Sequence, residues 1–310
     1  MKAWIQLLRP VNLLLLVLTQ YCIDWFILQP NFLKYGLPFT LNEFQFFLLV
    51  LATALICAGG YVINDYFDVQ IDAVNKPEQQ IIGKKIAPEK AFNFYLILTV
   101  IGLGLGVYLS LAIDYWKLVT IFVVVIALLY LYSIAFKRMV FIGNFIVALL
   151  SAISVIIVML FEPSLYNLAR PGDYYIAGLC TKYILGISFF AFALTVVREI
   201  VKDIQDIEGD RKFNAKTLPV KYGVGSAKLI AQLFLVLTIG GLLYLNFTVF
   251  NIFGNVYLIY ILVLVAFLLF IGFRLFTAGT KKEYGFISTL LKVSMVIGLG
   301  LMPLYYLLEF

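Results

Sequence analysis

The chain has 310 residues, of which 63% are hydrophobic and 13% are charged, and its mean hydropathy is +1.01. Soluble domains are about 45–50% apolar and about 25% charged, so this composition excludes an ordinary soluble protein and predicts an integral membrane protein with many spanning helices. In such a protein the net charge of +6 reflects topology rather than nucleic-acid binding, and no nucleic-acid partner is expected.

Nine apolar stretches follow one another along the chain, and each is long enough to cross a bilayer, which takes about 20 residues. In chain order they lie near residues 11–28, 45–63, 91–113, 116–136, 140–161, 177–197, 227–246, 255–273 and 287–308. No small-residue cleavage site follows the first stretch, so we interpret it as an uncleaved span. The glycines of the third span, at 102, 104 and 106, are interpreted as helix-packing positions. The sequence therefore predicts an all-α bundle of nine transmembrane helices in one domain, residues 1–310.

The distribution of Lys and Arg between the loops predicts the orientation of this bundle. If the N-terminus is cytoplasmic, the loops on that side hold most of the basic residues, and Lys34, Lys117, Arg170 and Lys182 remain outside. Cytoplasmic loops of membrane proteins are enriched in Lys and Arg. We therefore expect a multi-pass cell-membrane protein with its N-terminus inside and its C-terminus outside.

Two acidic motifs follow the second and the sixth span, on the side expected to be cytoplasmic. The first, at 64–72, reads NDYFDVQID, and the second, at 202–210, reads KDIQDIEGD. Their aspartates repeat the same spacing: Asp65, Asp68 and Asp72 in the first, and Asp203, Asp206 and Asp210 in the second. On a continuous helix, at 100° per residue, the first three and Asn64 project from one face. The repeat predicts two similar halves that contribute two facing sets of carboxylates to one site.

Carboxylates crowded beside apolar helices repel one another unless a cation neutralises them. The chain has no histidine, which excludes His-ligated metals and His general bases, so a metal would need oxygen ligands. Mg²⁺ typically takes one or two carboxylates together with phosphate oxygens. The two motifs therefore predict a Mg²⁺-dependent diphosphate site, in which four cations on the same side would contact the phosphates: Lys137, Arg138, Arg198 and Lys202.

The aspartates have two other interpretations. They could form a solvated cytoplasmic surface, although two clusters with the same spacing at span ends make this less attractive. They could also belong to a cation transporter. Against a transporter, the remaining acids avoid the span centres: Asp24, Asp114, Glu162 and Asp173 lie at predicted outer ends, where solvation at the interface would suffice.

At these motifs the sequence resembles the UbiA superfamily of membrane prenyltransferases. The stretch NDYFDVQID, followed by Asn75-Lys76-Pro77, matches the superfamily's NDxxDxxxD signature. Tyr132-Ser133 with Lys137-Arg138, Arg9-Pro10 with Asn12, and TLPVKYG at 217–223 also suit it. The second motif, REIVKDIQDIEGD at 198–210, is closest to the branch that makes digeranylgeranylglyceryl phosphate. One departure is Gln79-Gln80 and Lys84-Lys85, where members commonly carry arginines.

The resemblance implies an enzyme that transfers a polyprenyl group, expected to be geranylgeranyl, from its diphosphate to an acceptor in the membrane. It implies Mg²⁺ bound by the six aspartates, with Asn64, Arg9, Asn12 and Tyr132 joining the four cations in substrate binding. A glycerol-phosphate lipid is the favoured acceptor. An aromatic acceptor, as in quinone or tetrapyrrole biosynthesis, is the alternative within the same chemistry, and a cation transporter is the alternative outside it.

Overall fold

A computed structural model describes residues 2–75, 77–78, 80–167, 173–250 and 254–310. Lys76 of the first motif's continuation and Arg170 of the outer loops lie outside these ranges. Within them the chain is helical, with no β-strand. The α-helices are α1 Lys2–Leu7, α2 Pro10–Ile23, α3 Gln29–Tyr35, α4 Glu43–Phe67, α5 Val69–Asn75, α6 Pro88–Ala112, α7 Val119–Ile134, α8 Ile142–Leu160, α9 Asp173–Gln205, α10 Ile207–Lys212, α11 Leu218–Leu245, α12 Gly254–Thr277, α13 Lys281–Leu299 and α14 Leu301–Glu309.

The predicted membrane spans are confirmed. Nine helical segments of the described residues are long and apolar enough to cross a bilayer. They are Pro10–Tyr35, Glu43–Phe67, Pro88–Ala112, Trp116–Ile134, Ile142–Leu160, Tyr174–Gln205, Leu218–Thr248, Gly254–Thr277 and Lys281–Glu309. The chain is therefore a multi-pass membrane protein, while its cytoplasmic N-terminus stays a prediction.

Helix α4 shows how local sequence sets an element that carries part of the site. It begins at a capping box, in which the Asn42 side chain accepts a hydrogen bond from the Gln45 backbone and the Gln45 side chain accepts one from the Asn42 backbone. An unbroken apolar run follows, with small residues such as Gly59 and Gly60 buried against neighbouring helices. The helix ends at Asp68, whose φ of −95° and ψ of 3° depart from helical values.

The described chain forms two compact units that each combine distant segments. The first unit comprises Met1–Leu18, Thr40–Ile146 and Glu208–Thr217, and α4 packs in it against α6 and α7. The second unit comprises Thr19–Phe39, Val147–Ile207 and Leu218–Phe310, and α9 packs in it against α11 and α13. The boundary at 207–208 places Asp203 and Asp206 in the second unit and Asp210 in the first. The proposed division into two repeated halves stays a prediction.

The explanation given for the acids at the outer ends is wrong for two of them. Asp24 and Glu162 are buried, with 8% and 5% of their surfaces exposed, so solvation at an interface does not account for them. Asp24 instead accepts a hydrogen bond from Gln29 over 2.7 Å, within a stretch of π-helix at Asp24–Leu28. Burial of a carboxylate requires such compensation because its desolvation is costly.

Candidate active site

Each acidic motif lies across a break between a long helix and a short one. Asp65 is in the last turns of α4, Asp68 at the break and Asp72 in α5. In the second motif, Asp203, Asp206 and Asp210 occupy the corresponding places relative to α9 and α10. The single continuous helix assumed for the first motif is therefore wrong, because Asp68 ends the long helix, and the second motif is interrupted at the corresponding place, Asp206. The backbone nevertheless keeps its helical hydrogen bonds across the break, from Asp68 N–H to Asn64 and from Asp72 N–H to Asp68.

Arg9 neutralises the first aspartate. Its Nη2 lies 2.6 Å from Asp65 Oδ1, and its guanidinium stacks over the ring of Tyr61 at 4.9 Å from the centroid. Arg9 adopts a φ of 52°, a left-handed conformation that is uncommon for a residue with a side chain. Asn12 shares a side-chain hydrogen bond with Tyr61. The turn between α1 and α2 thus brings the Arg9-Pro10 and Asn12 positions to the first motif, while their role in substrate binding stays a prediction.

Lys137 neutralises the middle aspartate of the first motif. Its Nζ lies 2.7 Å from Asp68 Oδ1, and it donates to Asn64 Oδ1 at 3.2 Å. Asn64 in turn donates from Nδ2 to Asp68 Oδ2 at 3.1 Å. Burial lowers the pKa of Lys137, and the Asp68 carboxylate opposes that shift by stabilising the ammonium. These three side chains form a largely buried polar cluster of one carboxylate, one amide and one cation.

The short helices α5 and α10, which carry the last aspartate of each motif, touch within the first unit. The backbone N–H of Gly209 in α10 donates to Asn75 Oδ1 in α5 at 2.9 Å, and both residues are buried. A Cβ added at Gly209 would overlap the Asn75 side-chain amide. Glycine is therefore required here for close approach. The contact joins the helix that carries Asp72 to the helix that carries Asp210.

Two of the predicted phosphate-binding cations are held by a buried carboxylate in the second unit. Glu199 Oε1 lies 3.0 Å from Arg198 Nη1, and Glu199 Oε2 lies 2.8 Å from Lys202 Nζ. The Glu199 side chain is only 8% exposed. Arg198 Nε is buried without a hydrogen-bond partner in the described part of the chain. A planar guanidinium with a spare N–H is suited to an oxyanion ligand.

The other predicted residues occupy less constrained positions. Tyr132 is half-buried near the end of α7, and Arg138 is exposed in the turn that carries Lys137. Asp203 and Asp206 are half-buried. Asp210 accepts a hydrogen bond from the Thr217 hydroxyl at 3.0 Å.

Sequence reasoning gave no role to Glu199, Asn75 or Thr217. Glu199 carried a usable signal, since it precedes Asp203 by one helical turn and so extends the acidic face of α9. Asn75 stands out in the sequence only as part of the family signature. Thr217 belongs to the family-like stretch TLPVKYG, but its contact with Asp210 depends on the path of the loop between α10 and α11.

The donor chemistry of the first motif fits Mg²⁺. Its ligand candidates, the carboxylates of Asp65, Asp68 and Asp72 and the Asn64 amide oxygen, are all hard oxygens. Within the described ranges, no three carboxylate or thiol groups converge closely enough to hold a metal by themselves. A Mg²⁺ ion here would take one or two of the carboxylates and complete its shell with phosphate oxygens and water.

The fold and these residues define a polytopic membrane protein with an acidic, cation-flanked site of the kind that binds diphosphates through metal ions. The sequence profile of the UbiA prenyltransferase family matches residues 31–290. The digeranylgeranylglyceryl phosphate synthase of Sulfolobus acidocaldarius is 37% identical over 230 residues, which are 71% of this chain and 75% of that protein. That of Methanosphaera stadtmanae is 31% identical over 304 residues, 96% of each chain. The chain belongs to the UbiA prenyltransferase family, and the predicted resemblance and enzyme class are confirmed.

Solved structures agree on the fold. One from work on digeranylgeranylglyceryl phosphate synthase in membranes superposes with a TM-score of 0.64 at 26% identity and covers 99% of this chain and 97% of that one. A UbiA homologue from Archaeoglobus fulgidus bound to GPP and Mg²⁺ superposes with a TM-score of 0.62 at 17% identity, over 97% of this chain and 99% of that one. The predicted all-α membrane architecture is therefore confirmed.

Proposed function

We propose that this protein transfers a geranylgeranyl group from geranylgeranyl diphosphate to the free hydroxyl of a geranylgeranylglyceryl phosphate, and releases diphosphate. The acceptor oxygen bonds to the allylic carbon as that carbon's bond to the diphosphate oxygen breaks, and the hydroxyl proton is released. The product is an ether lipid. The relatives' shared name and the chain-long match to one of them support this acceptor.

The observation that carries the proposal is the polar cluster of Asn64, Asp68 and Lys137, flanked by the Arg9–Asp65 ion pair. It presents oxygen ligands and fixed cations at the end of an otherwise apolar helix. Asp65, Asp68, Asp72 and Asp210, which all belong to the first unit, would hold Mg²⁺, and the metal would supply the positive charge that stabilises the leaving diphosphate. A structural neighbour of the same fold binds GPP and Mg²⁺, which supports this assignment.

The chain's own residues would bind and orient the diphosphate. Arg198 would offer its buried Nε to a phosphate oxygen, with Lys202 beside it on α9. Lys137 would hold the Asn64 and Asp68 side chains in place at the break between α4 and α5. The positively charged inner loops support a cytoplasmic site, and they supply further cations for an acceptor phosphate: Lys84, Lys85, Arg211, Lys212 and Lys216.

The test is a reconstituted assay with labelled geranylgeranyl diphosphate and two acceptors, geranylgeranylglyceryl phosphate and a hydroxybenzoate. We expect Mg²⁺-dependent diphosphate release and label only in the glyceryl phosphate lipid. Efficient prenylation of the hydroxybenzoate, with no prenylation of the lipid, would show that the acceptor is aromatic. No diphosphate release with either acceptor, but metal-ion flux into vesicles, would identify a transporter.

A further inference from the structure

The contact between Asn75 and Gly209 is a part of the first unit to which the proposed chemistry assigns no role. Both residues are buried, and neither carries a charge that would serve metal or phosphate binding. Asn75 follows Asp72 by three residues on α5, and Gly209 directly precedes Asp210 on α10. The hydrogen bond of 2.9 Å therefore joins the last aspartates of the two motifs through rigid helical turns.

A second route connects the same helices. The Lys216 backbone N–H donates to the Arg138 carbonyl at 2.8 Å, so the loop after α10 is attached to the turn that carries Lys137. Thr217, the next residue in that loop, donates to the Asp210 carboxylate.

These links close into a ring within the first unit. From Lys137 the ring reaches Asp68 through their ion pair, and it continues along α5 to Asp72 and Asn75. From Asn75 it passes to Gly209 and Asp210, and it returns through the loop after α10 to the turn of Lys137. A ring of contacts restricts motion more than one contact does, since each link limits the displacement that the others allow.

We propose that Asn75 is a positioning residue, which holds α10 against α5 and so sets the placement of Asp210 relative to Asp72. The inference rests on the proposed Mg²⁺–diphosphate site. Its physical basis is twofold: the Asn75 amide satisfies a buried N–H at Gly209, and the missing side chain at 209 permits the approach. Loss of the amide leaves that N–H without its partner and frees α10 to shift.

The experiment measures metal-dependent thermal stabilisation, which needs no acceptor and no turnover. Purified protein in detergent is titrated with Mg²⁺ at fixed inorganic diphosphate, and the Mg²⁺ concentration for the half-maximal rise in Tm is recorded. We expect Asn75→Ala to raise that concentration about tenfold, because Asp210 is no longer held in place relative to Asp72, and to lower the Tm of the ligand-free protein, because the buried Gly209 N–H loses its acceptor. Asn75→Asp, which keeps an oxygen acceptor, should recover most of the affinity. Asn93→Ala, at an exposed position on α6, is the matched control.

A double variant tests the packing directly. Gly209→Ala alone should be worse than Asn75→Ala, because its Cβ meets the Asn75 amide. Asn75→Ala combined with Gly209→Ala removes that overlap, so the pair should bind Mg²⁺ as Asn75→Ala does. Gly104→Ala, where an added Cβ meets open space, controls for the substitution itself.

The variants distinguish failure of the inference from failure of the proposed function. The inference is overturned if the effects of the two substitutions on Mg²⁺ affinity multiply in the double variant. It is also overturned if Asn75→Ala leaves the Mg²⁺ affinity unchanged. If Asn75→Ala does not fold, Asn75→Asp and Gly209→Ala are compared instead. Tighter Mg²⁺ binding by Asn75→Asp than by Gly209→Ala supports the inference, and equal or weaker binding overturns it. If the wild-type protein shows no Mg²⁺-dependent stabilisation by diphosphate, the proposed function fails instead.

Discussion

The residues of the site divide into groups that would contact ligand and groups that hold those contacts in place. Lys137 and Arg9 pair directly with Asp68 and Asp65. Glu199 has a different place, because its buried carboxylate bridges two cations that are proposed to meet the diphosphate. A carboxylate buried between two cations orients both of them through charge-assisted hydrogen bonds.

Replacement of Glu199 by Gln tests this positioning. The amide keeps the shape of the side chain but loses its charge, so Arg198 and Lys202 lose a charge-assisted hydrogen bond. We expect the KM for geranylgeranyl diphosphate to rise about tenfold, since hydrogen bonds to charged groups contribute about 1.5–3 kcal/mol, while the acceptor's KM changes little. Steady-state kinetics with each substrate varied in turn measure the difference.

Glu208→Gln is the matched control for that prediction. Glu208 is exposed on α10, near the same motif, and its neutralisation should leave both KM values unchanged. Equal effects of the two substitutions on the donor's KM would show that net charge, rather than the geometry around Glu199, is responsible.

At the scale of the helix, the glycines of α6 show which positions of a span are set by packing. A Cβ at Gly106 would lie 2.6 Å from Phe122 Cδ2, and one at Gly102 would lie 2.7 Å from Ile56 Cγ1. Gly104 faces open space. The prediction of a packing role is therefore confirmed for Gly102 and Gly106 and wrong for Gly104, because alternate residues of a helix do not share a face.

The α6 glycines give a stability prediction. Gly106→Ala should lower the free energy of unfolding by about 1–3 kcal/mol, because the methyl group overpacks against the Phe122 ring on α7. Gly104→Ala should be neutral or slightly stabilising, since Ala has the higher helix propensity. Thermal unfolding in detergent compares the two. An equal Tm for both variants would contradict the packing of α6 against α7.

At the scale of the whole molecule, the predicted orientation in the bilayer rests on the loop charges alone. Lys85 and Lys212 are exposed and lie between spans, and Lys117 is exposed in the first turn of the span Trp116–Ile134. Cysteines introduced at these positions, in a chain lacking Cys22, Cys57 and Cys180, should divide by side. We expect 85 and 212 to react in inside-out vesicles only and 117 in right-side-out vesicles only, because positive loops are retained in the cytoplasm.

Accessibility of 85 and 212 from opposite sides would contradict the proposal that both motifs serve one site. Labelling of both from the outside, with 117 inside, would invert the orientation and leave a shared site possible. A membrane-impermeant thiol reagent, with a second reagent after solubilisation to show that every cysteine is reactive, makes the assignment.

The sequence by itself determined the class of the protein, its membrane spans and the spacing of its two aspartate motifs. Apolar run length and oxygen-rich motifs are local properties, and a bilayer leaves a chain of this composition little choice but spanning helices. The tertiary structure decided which groups meet: Lys137 with Asp68, Glu199 with two cations, and Asn75 with Gly209. The Lys137–Asp68 and Asn75–Gly209 contacts join residues far apart in sequence, so no rule based on residue spacing could predict them. It also decided where the helices break, because that depends on the backbone at Asp68 rather than on helical periodicity.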